Sequence, residues 1–150
     1  MIRLGLDLHG VIDVAPEFFS QLSRFMIDRA HEIYIVTGRE EGDELNIELE
    51  SCGMRSVRGQ LYNRILSITS YQKAKGTPVS YLDDRKSQPI MEPSVWNPTK
   101  AALCASAGID IMIDDSTLYE PYFRDIKTQY LIFNASVQQW LNLMFYYGPK

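Results

Sequence analysis

The sequence predicts an α/β fold on a parallel sheet, and three observations carry that prediction. Short apolar runs of strand length alternate with segments of helical periodicity, the pattern of repeated βα units. The runs at residues 2–12, 32–37 and 109–114 are rich in Ile, Leu and Val rather than strictly alternating, as strands covered on both faces are. Their polar members Asp7, Thr37 and Asp114 fall at the carboxyl edge, where open α/β sheets bind ligands. A chain of 150 residues, 45% of them hydrophobic, can bury a sufficient core as a single domain covering 1–150.

The first run, Ile2-Arg3-Leu4-Gly5-Leu6-Asp7-Leu8-His9-Gly10-Val11-Ile12, reads as a buried strand that breaks into a glycine turn after Asp7. Residues 15–28 then carry Phe18, Phe19, Leu22, Phe25 and Met26 on one helical face, with Pro16 tolerated in the first turn. Residues 32–37 form a second β-branched strand ending in Thr37-Gly38-Arg39, and 40–52 return to helical spacing through Leu45, Ile47, Leu49 and Cys52, stopped by Gly53. From 55 to 98 the pattern changes. A short helix fits 67–74, and Val79 to Met91 reads as a hairpin around the polar turn 83–87, so this stretch is an insertion rather than another βα repeat. Residues 99–107 are helical up to Gly108, and 109–114 are a strong strand delivering Asp114-Asp115. A helix over 117–125, a strand over 129–133 and a terminal helix over 136–147 capped by Ser136 complete the order.

Composition narrows the function. Fifteen basic against nineteen acidic residues give a net charge of -4 with no basic stripe, so long nucleic acids are not expected partners. Cys52 and Cys104 match neither a metal knuckle nor a redox pair and are too few for a disulfide framework, so both are expected reduced. No export signal and no run of about 18 apolar residues is visible, which sets a cytoplasmic, non-membrane expectation.

Four polar features therefore converge at element ends: Asp7, Thr37, Lys100 and the pair Asp114-Asp115. Crowded carboxylates raise one another's pKa unless a cation sits among them, and a hard divalent ion with oxygen ligands, Mg²⁺ above all, resolves that conflict. Lys100, the Thr37 hydroxyl and the backbone amides that follow, from Gly38 on, would then hold phosphoryl oxygens.

At these residues the chain resembles a known family. Leu6-Asp7-Leu8-His9-Gly10-Val11-Ile12, Ile35-Val36-Thr37-Gly38-Arg39, Lys100 and Ile113-Asp114-Asp115-Ser116 are similar, in order, to the four motifs of the haloacid dehalogenase superfamily, in its phosphatase branch. The resemblance spans the chain and implies a three-layer, Rossmann-like parallel sheet with a small hairpin-containing insertion in place of a large cap. It implies Mg²⁺-dependent phosphomonoester hydrolysis, with Asp7 attacking phosphorus and Thr37 and Lys100 gripping the phosphoryl group. Asp7, the His9 backbone carbonyl, Asp114 and Asp115 would organise the metal.

The chain departs from that pattern at His9, where the family most often has an aspartate that serves as acid and then base. An imidazole titrates near neutrality, so His9 can take over the proton work. If it cannot activate water, the phosphoryl group stays on Asp7, and the chain is a slow or phosphotransferase-like protein; a non-catalytic binding module is the third reading. A response-regulator receiver shares the residue types but not their order.

Plainer readings stand beside these. Asp7 alone could be a turn aspartate, Asp115 could cap the next helix, and Asp83-Asp84 is expected in a hairpin turn. His31 is expected to be structural or solvent-facing, and Trp140, Leu141, Met144 and Phe145 to pack in the core. Tyr146 and Tyr147 could extend that stripe into a contact, giving a monomer or weak dimer. The substrate is expected to be a small phosphorylated molecule, a nucleotide or sugar phosphate among the candidates. Arg39 would bind it, and Tyr62, Tyr71, Tyr81 or Trp96 would stack on it.

Overall fold

The computed structural model describes residues 1–55 and 61–144. Five short strands form one sheet, ordered β3-β2-β1-β6-β7, and every neighbouring pair is parallel. These are β1 (Arg3–Leu6), β2 (Glu32–Thr37), β3 (Arg64–Ser67), β6 (Ile111–Asp114) and β7 (Gln129–Ile132). Parallel neighbours need crossover connections, and helices supply most of them: α1 (Pro16–Asp28), α2 (Asp43–Ser51) and α4 (Pro93–Ala107). The short helix α3 (Ile68–Ala74) follows β3 directly, and α5 (Ala135–Asn142) follows β7.

Alternation along each strand sorts the core into two layers. Leu4, Leu6, Ile33 and Ile35 join Phe19 of α1, Leu45 and Leu49 of α2 and Leu141 of α5 on one face. Tyr34, Val36, Leu66 and Met112 join Ala101 and Cys104 of α4 on the other. The result is a three-layer, Rossmann-like α/β architecture. Chain order runs outward from β1 through β2 to β3, then crosses back to β6 on the opposite side. That reversal leaves a crevice between the carboxyl ends of β1 and β6, the place where sheets of this type take ligands.

Several expectations change. The stretch 55–98 is not all insertion, because β3 pairs with β2 from Tyr34↔Arg64 to Thr37↔Ser67 and, with α3, makes a βα unit of the main sheet. β3 is a four-residue edge strand with an exposed Arg64 at its start, too short for period and hydrophobicity to reveal. Residues 56–60, also in the expected insertion, lie outside the described residues.

Among the described residues, the strands outside the sheet are those of the antiparallel hairpin of β4 (Ser80–Tyr81) and β5 (Pro89–Ile90). The Asp83 carboxylate ties its turn by accepting bonds from the Ser87 amide at 2.9 Å and the Ser87 hydroxyl, as a turn aspartate should. α4 begins at Pro93, six residues earlier than expected, and absorbs Pro98. Lys100 is therefore in mid-helix rather than near the start. The helix expected over 117–125 shrinks to one tight turn, Glu120–Phe123.

Near the end of the chain, Asn134 rather than Ser136 caps α5, its side chain accepting from the Val137 amide at 3.0 Å. Among the described residues of the expected stripe, Leu141 is in the core, whereas Trp140 and Met144 are more than half exposed. Phe145, Tyr146 and Tyr147 lie outside the described residues. Cys52 and Cys104 are both free thiols, as expected. His31 is structural, accepting the Ile2 amide on Nδ1 at 3.1 Å. Among the described residues no helix is long and apolar enough to cross a membrane.

Candidate active site

β1 ends at Leu6, and the next residue, Asp7, is still tied to the sheet through its amide, which donates to the Ile113 carbonyl at 3.0 Å. The chain then winds into a tight turn over Leu8–Ile12, where His9 and Gly10 leave helical geometry. Gly10 has φ +82°, and a Cβ there would lie 2.1 Å from Asp115 Oδ2, so only glycine lets this turn approach the β6 end. The carboxylate of Asp7 accepts from the Leu8 amide at 2.9 Å.

Lys100 reaches up from α4 between the two strand ends. Its Nζ lies 2.6 Å from Asp114 Oδ2 and 3.5 Å from Asp7 Oδ1, with the ammonium 4.5 Å from the centre of the Tyr119 ring. Asp114 is fully buried; its other oxygen accepts from the Ser116 amide at 2.9 Å. Asp115 is exposed and abuts Gly10. No cap bond forms at the start of the turn that follows, which sets aside the capping reading of Asp115.

Electrostatics follow from this burial. Desolvation pushes the Asp7 carboxyl up to about 7 against the pull of Lys100, and the charges of Asp114 and Asp115 add to the push. Desolvation would lower the Lys100 ammonium, but Asp7 and Asp114 outweigh it and hold the lysine above its ordinary range. Burial and the Asp114 charge raise Asp115 as well.

A cluster in which carboxyls are driven toward their neutral forms suits an added positive charge. One carboxylate oxygen each from Asp7, Asp114 and Asp115 lies within 4.8 Å of the others. Donors sharing an ion at about 2.0–2.6 Å sit at most about 4–5 Å apart, so the set fits one hard cation, with all donors oxygen.

In front of the cluster opens a cleft of about 350 Å³. Asp7, Gly10, Lys100, Asp115 and Ser116 line it on the side of the cluster, and His9, Gly38, Arg39, Trp96, Tyr119, Ser87 and Pro89 complete it. Thr37 does not face the cleft. It is fully buried at the end of β2, and its Oγ1 accepts from the Arg39 amide at 3.1 Å, shaping the loop that presents Gly38 and Arg39. Hydroxyls from the neighbouring β3–α3 junction clamp that loop. Thr69 donates to the Gly38 carbonyl and Ser67 to the Arg39 carbonyl, each at 2.6 Å, and Ser70 accepts from the Glu41 amide at 2.9 Å.

Glu48 is the residue that sequence reasoning missed. Leu45 and Leu49 bury α2 against the core, and Glu48 between them projects to the cleft edge, where its carboxylate engages both His9 Nε2 and Arg39 Nη1. One acidic residue in an acidic helix carries no motif; its only signal is the spacing that sets it beside two buried leucines. His9 is thus half-exposed at the rim, with Nε2 turned to Glu48. Of the aromatic candidates, Trp96 alone lines the cleft. Tyr62 is buried in the core, Tyr71 is exposed, and Tyr81 donates to Glu40 at 2.6 Å. No family model matches the chain, and no curated protein matches it.

Proposed function

We propose that the chain is a phosphomonoester hydrolase of the haloacid dehalogenase superfamily, in its phosphatase branch, dependent on Mg²⁺ and working through Asp7. The observation that carries this reading is the convergence, at the switch between β1 and β6, of three carboxylates around a buried lysine with a cleft in front. Asp7, Asp114, Asp115 and the backbone carbonyl of His9 would hold the cation, which when bound supplies charge neutralisation for the approach of a phosphate dianion to a carboxylate.

Asp7 attacks phosphorus through a carboxylate oxygen, the ester oxygen departs with a proton from His9, and the phosphoryl group becomes an acyl phosphate on Asp7. Water, surrendering a proton to His9, then attacks that phosphorus, releasing inorganic phosphate and restoring the carboxylate. Lys100 and the Gly38 amide stabilise the equatorial oxygens, while the Arg39 amide, bonded to Thr37, and the hydroxyl clamps keep that loop from reorganising during the reaction.

Asp7→Asn, with folding checked by circular dichroism, should lower phosphate release from small phosphomonoesters by at least about 10⁴-fold. Turnover close to wild type in that variant would sink the reading.

One observation favours a second reading. Glu48 already holds His9 Nε2, and if the ring stays there it cannot serve water; phosphorylated Asp7 would then accumulate, and the chain would turn over slowly or pass the group to another acceptor. Acid-quenched labelling with a ³²P-phosphomonoester separates the two, since the hydrolase reading predicts little trapped phosphoprotein at steady state.

A further inference from the structure

We propose that the cleft selects phosphomonoesters whose leaving group carries a flat aromatic ring, and that Trp96 is the residue that reads the ring. The proposal rests on the phosphoryl-transfer reading of Asp7 and names the substrate class of the same site.

Trp96 sits in the first turn of α4, directly after the hairpin, and its position is fixed at two points. Its Nε1–H donates to the Tyr119 hydroxyl at 2.8 Å, and its six-membered ring lies so close to Gly38 that a Cβ there would come within 2.6 Å of Cζ2 and Cη2. Gly38 belongs to the loop that would grip the phosphoryl group, so the indole packs directly against that loop and lines the same cleft as Asp7.

With its only hydrogen-bond donor spent on Tyr119, the indole offers the cleft no polar handle, only π-surface. Tyr119 is held in turn, its hydroxyl accepting from Trp96 and its ring beneath the Lys100 ammonium. Two aromatic side chains pinned in this way lose little rotamer freedom when a ligand arrives, which favours stacking over induced rearrangement. Pro89 of β5 adds a further apolar surface. A bare sugar phosphate would leave this surface wet; a ring one sugar away from the phosphate would cover it, and stacking tolerates any base because every base has a π-face.

The protein contains two tryptophans, and Trp140 is exposed on α5 and is not among the cleft-lining residues, so Trp140→Phe leaves Trp96 as the sole indole fluorophore. In that background with Asp7→Asn added, titration with adenosine 5′-monophosphate and Mg²⁺ should quench Trp96 emission, while ribose 5-phosphate at the same concentrations should not. Phenyl phosphate as a third ligand shows whether a phenol ring can replace a nucleobase. Steady-state kinetics on the otherwise wild-type chain should give a KM about fivefold or more lower for adenosine 5′-monophosphate than for ribose 5-phosphate. Trp96→Leu should collapse that ratio to within about twofold, and Trp96→Phe should retain most of it.

Equal quenching by both phosphates, or equal KM values in the wild type, overturns the proposal while leaving hydrolysis itself intact. Selective quenching without phosphate release from any ligand upholds ring recognition and removes the hydrolase reading instead.

Discussion

Asp7 holds a proton near neutrality that an ordinary aspartate would have lost. Its carboxyl rises from 3.8 to about 7 because burial outweighs the help of Lys100. A group whose folded pKa lies above its unfolded value adds stability that is full below the unfolded value and is lost as pH rises through the folded one. Between about pH 4 and pH 7 the metal-free protein should therefore lose the contribution of Asp7. Asp7→Asn should escape that loss, so its stability relative to wild type should grow with pH across this window in urea melts made with chelator. A difference that stays flat from pH 4 to 7 would contradict the burial argument. The residues of the cluster were legible in the sequence because strand ends in a parallel sheet share an edge, whatever their separation along the chain. Glu48 was not, since its partners His9 and Arg39 come to it only through tertiary packing. Thr37 was read as a direct phosphate contact, whereas its hydroxyl is used to shape the loop behind Gly38 and Arg39.

At the scale of elements, α2 is a short helix that presents one carboxylate to two cleft-lining residues, His9 and Arg39. Leu45 and Leu49, both fully buried, fix its rotation, and Glu48 follows. If Glu48 orients His9 for proton transfer, Glu48→Ala should cut kcat on alkyl phosphates by about 10- to 100-fold and on aryl phosphates much less, because aryl leaving groups need little protonation. A rise in kcat on both would show that Glu48 restrains His9, as in the slow-turnover reading. The same scale shows why parts of the fold escaped the sequence. β2 has six residues, five of them β-branched or aromatic, and was read to the residue; β3 is four residues with a charged start and was absorbed into the insertion. Helical spacing over 117–125 gave way to a single turn once Asp114 and Ser116 had drawn the backbone into their own hydrogen bonds.

In the whole molecule the acidic cluster and its lysine sit where the two halves of the sheet meet. Asp7 leaves β1 and Asp114 ends β6, so one ion held by both would join segments more than a hundred residues apart in sequence. Such an ion binds the folded state and not the unfolded chain. Mg²⁺ at 100 times its dissociation constant should add about 2.7 kcal/mol, a rise in Tm of roughly 5–10 °C for a domain of this size. Asp114→Asn should abolish the rise, and matched ionic strength from a monovalent salt should not reproduce it; an unchanged Tm in wild type would count against a cation at this site.

The hairpin also gains meaning at this scale. Its base is closed by buried Gln72 of α3, whose amide donates to Thr99 of α4 at 2.8 Å while its carbonyl accepts from Thr77 at 2.7 Å. These bonds tie α3 to α4 and to Thr77, so the two helices are fastened together before the chain departs for β4. The segment from Pro78 to Met91 is in this sense a socket: a longer module exchanged there would hang over the same cleft without loosening a strand, and specificity could be rewritten while the phosphoryl machinery stayed as it is.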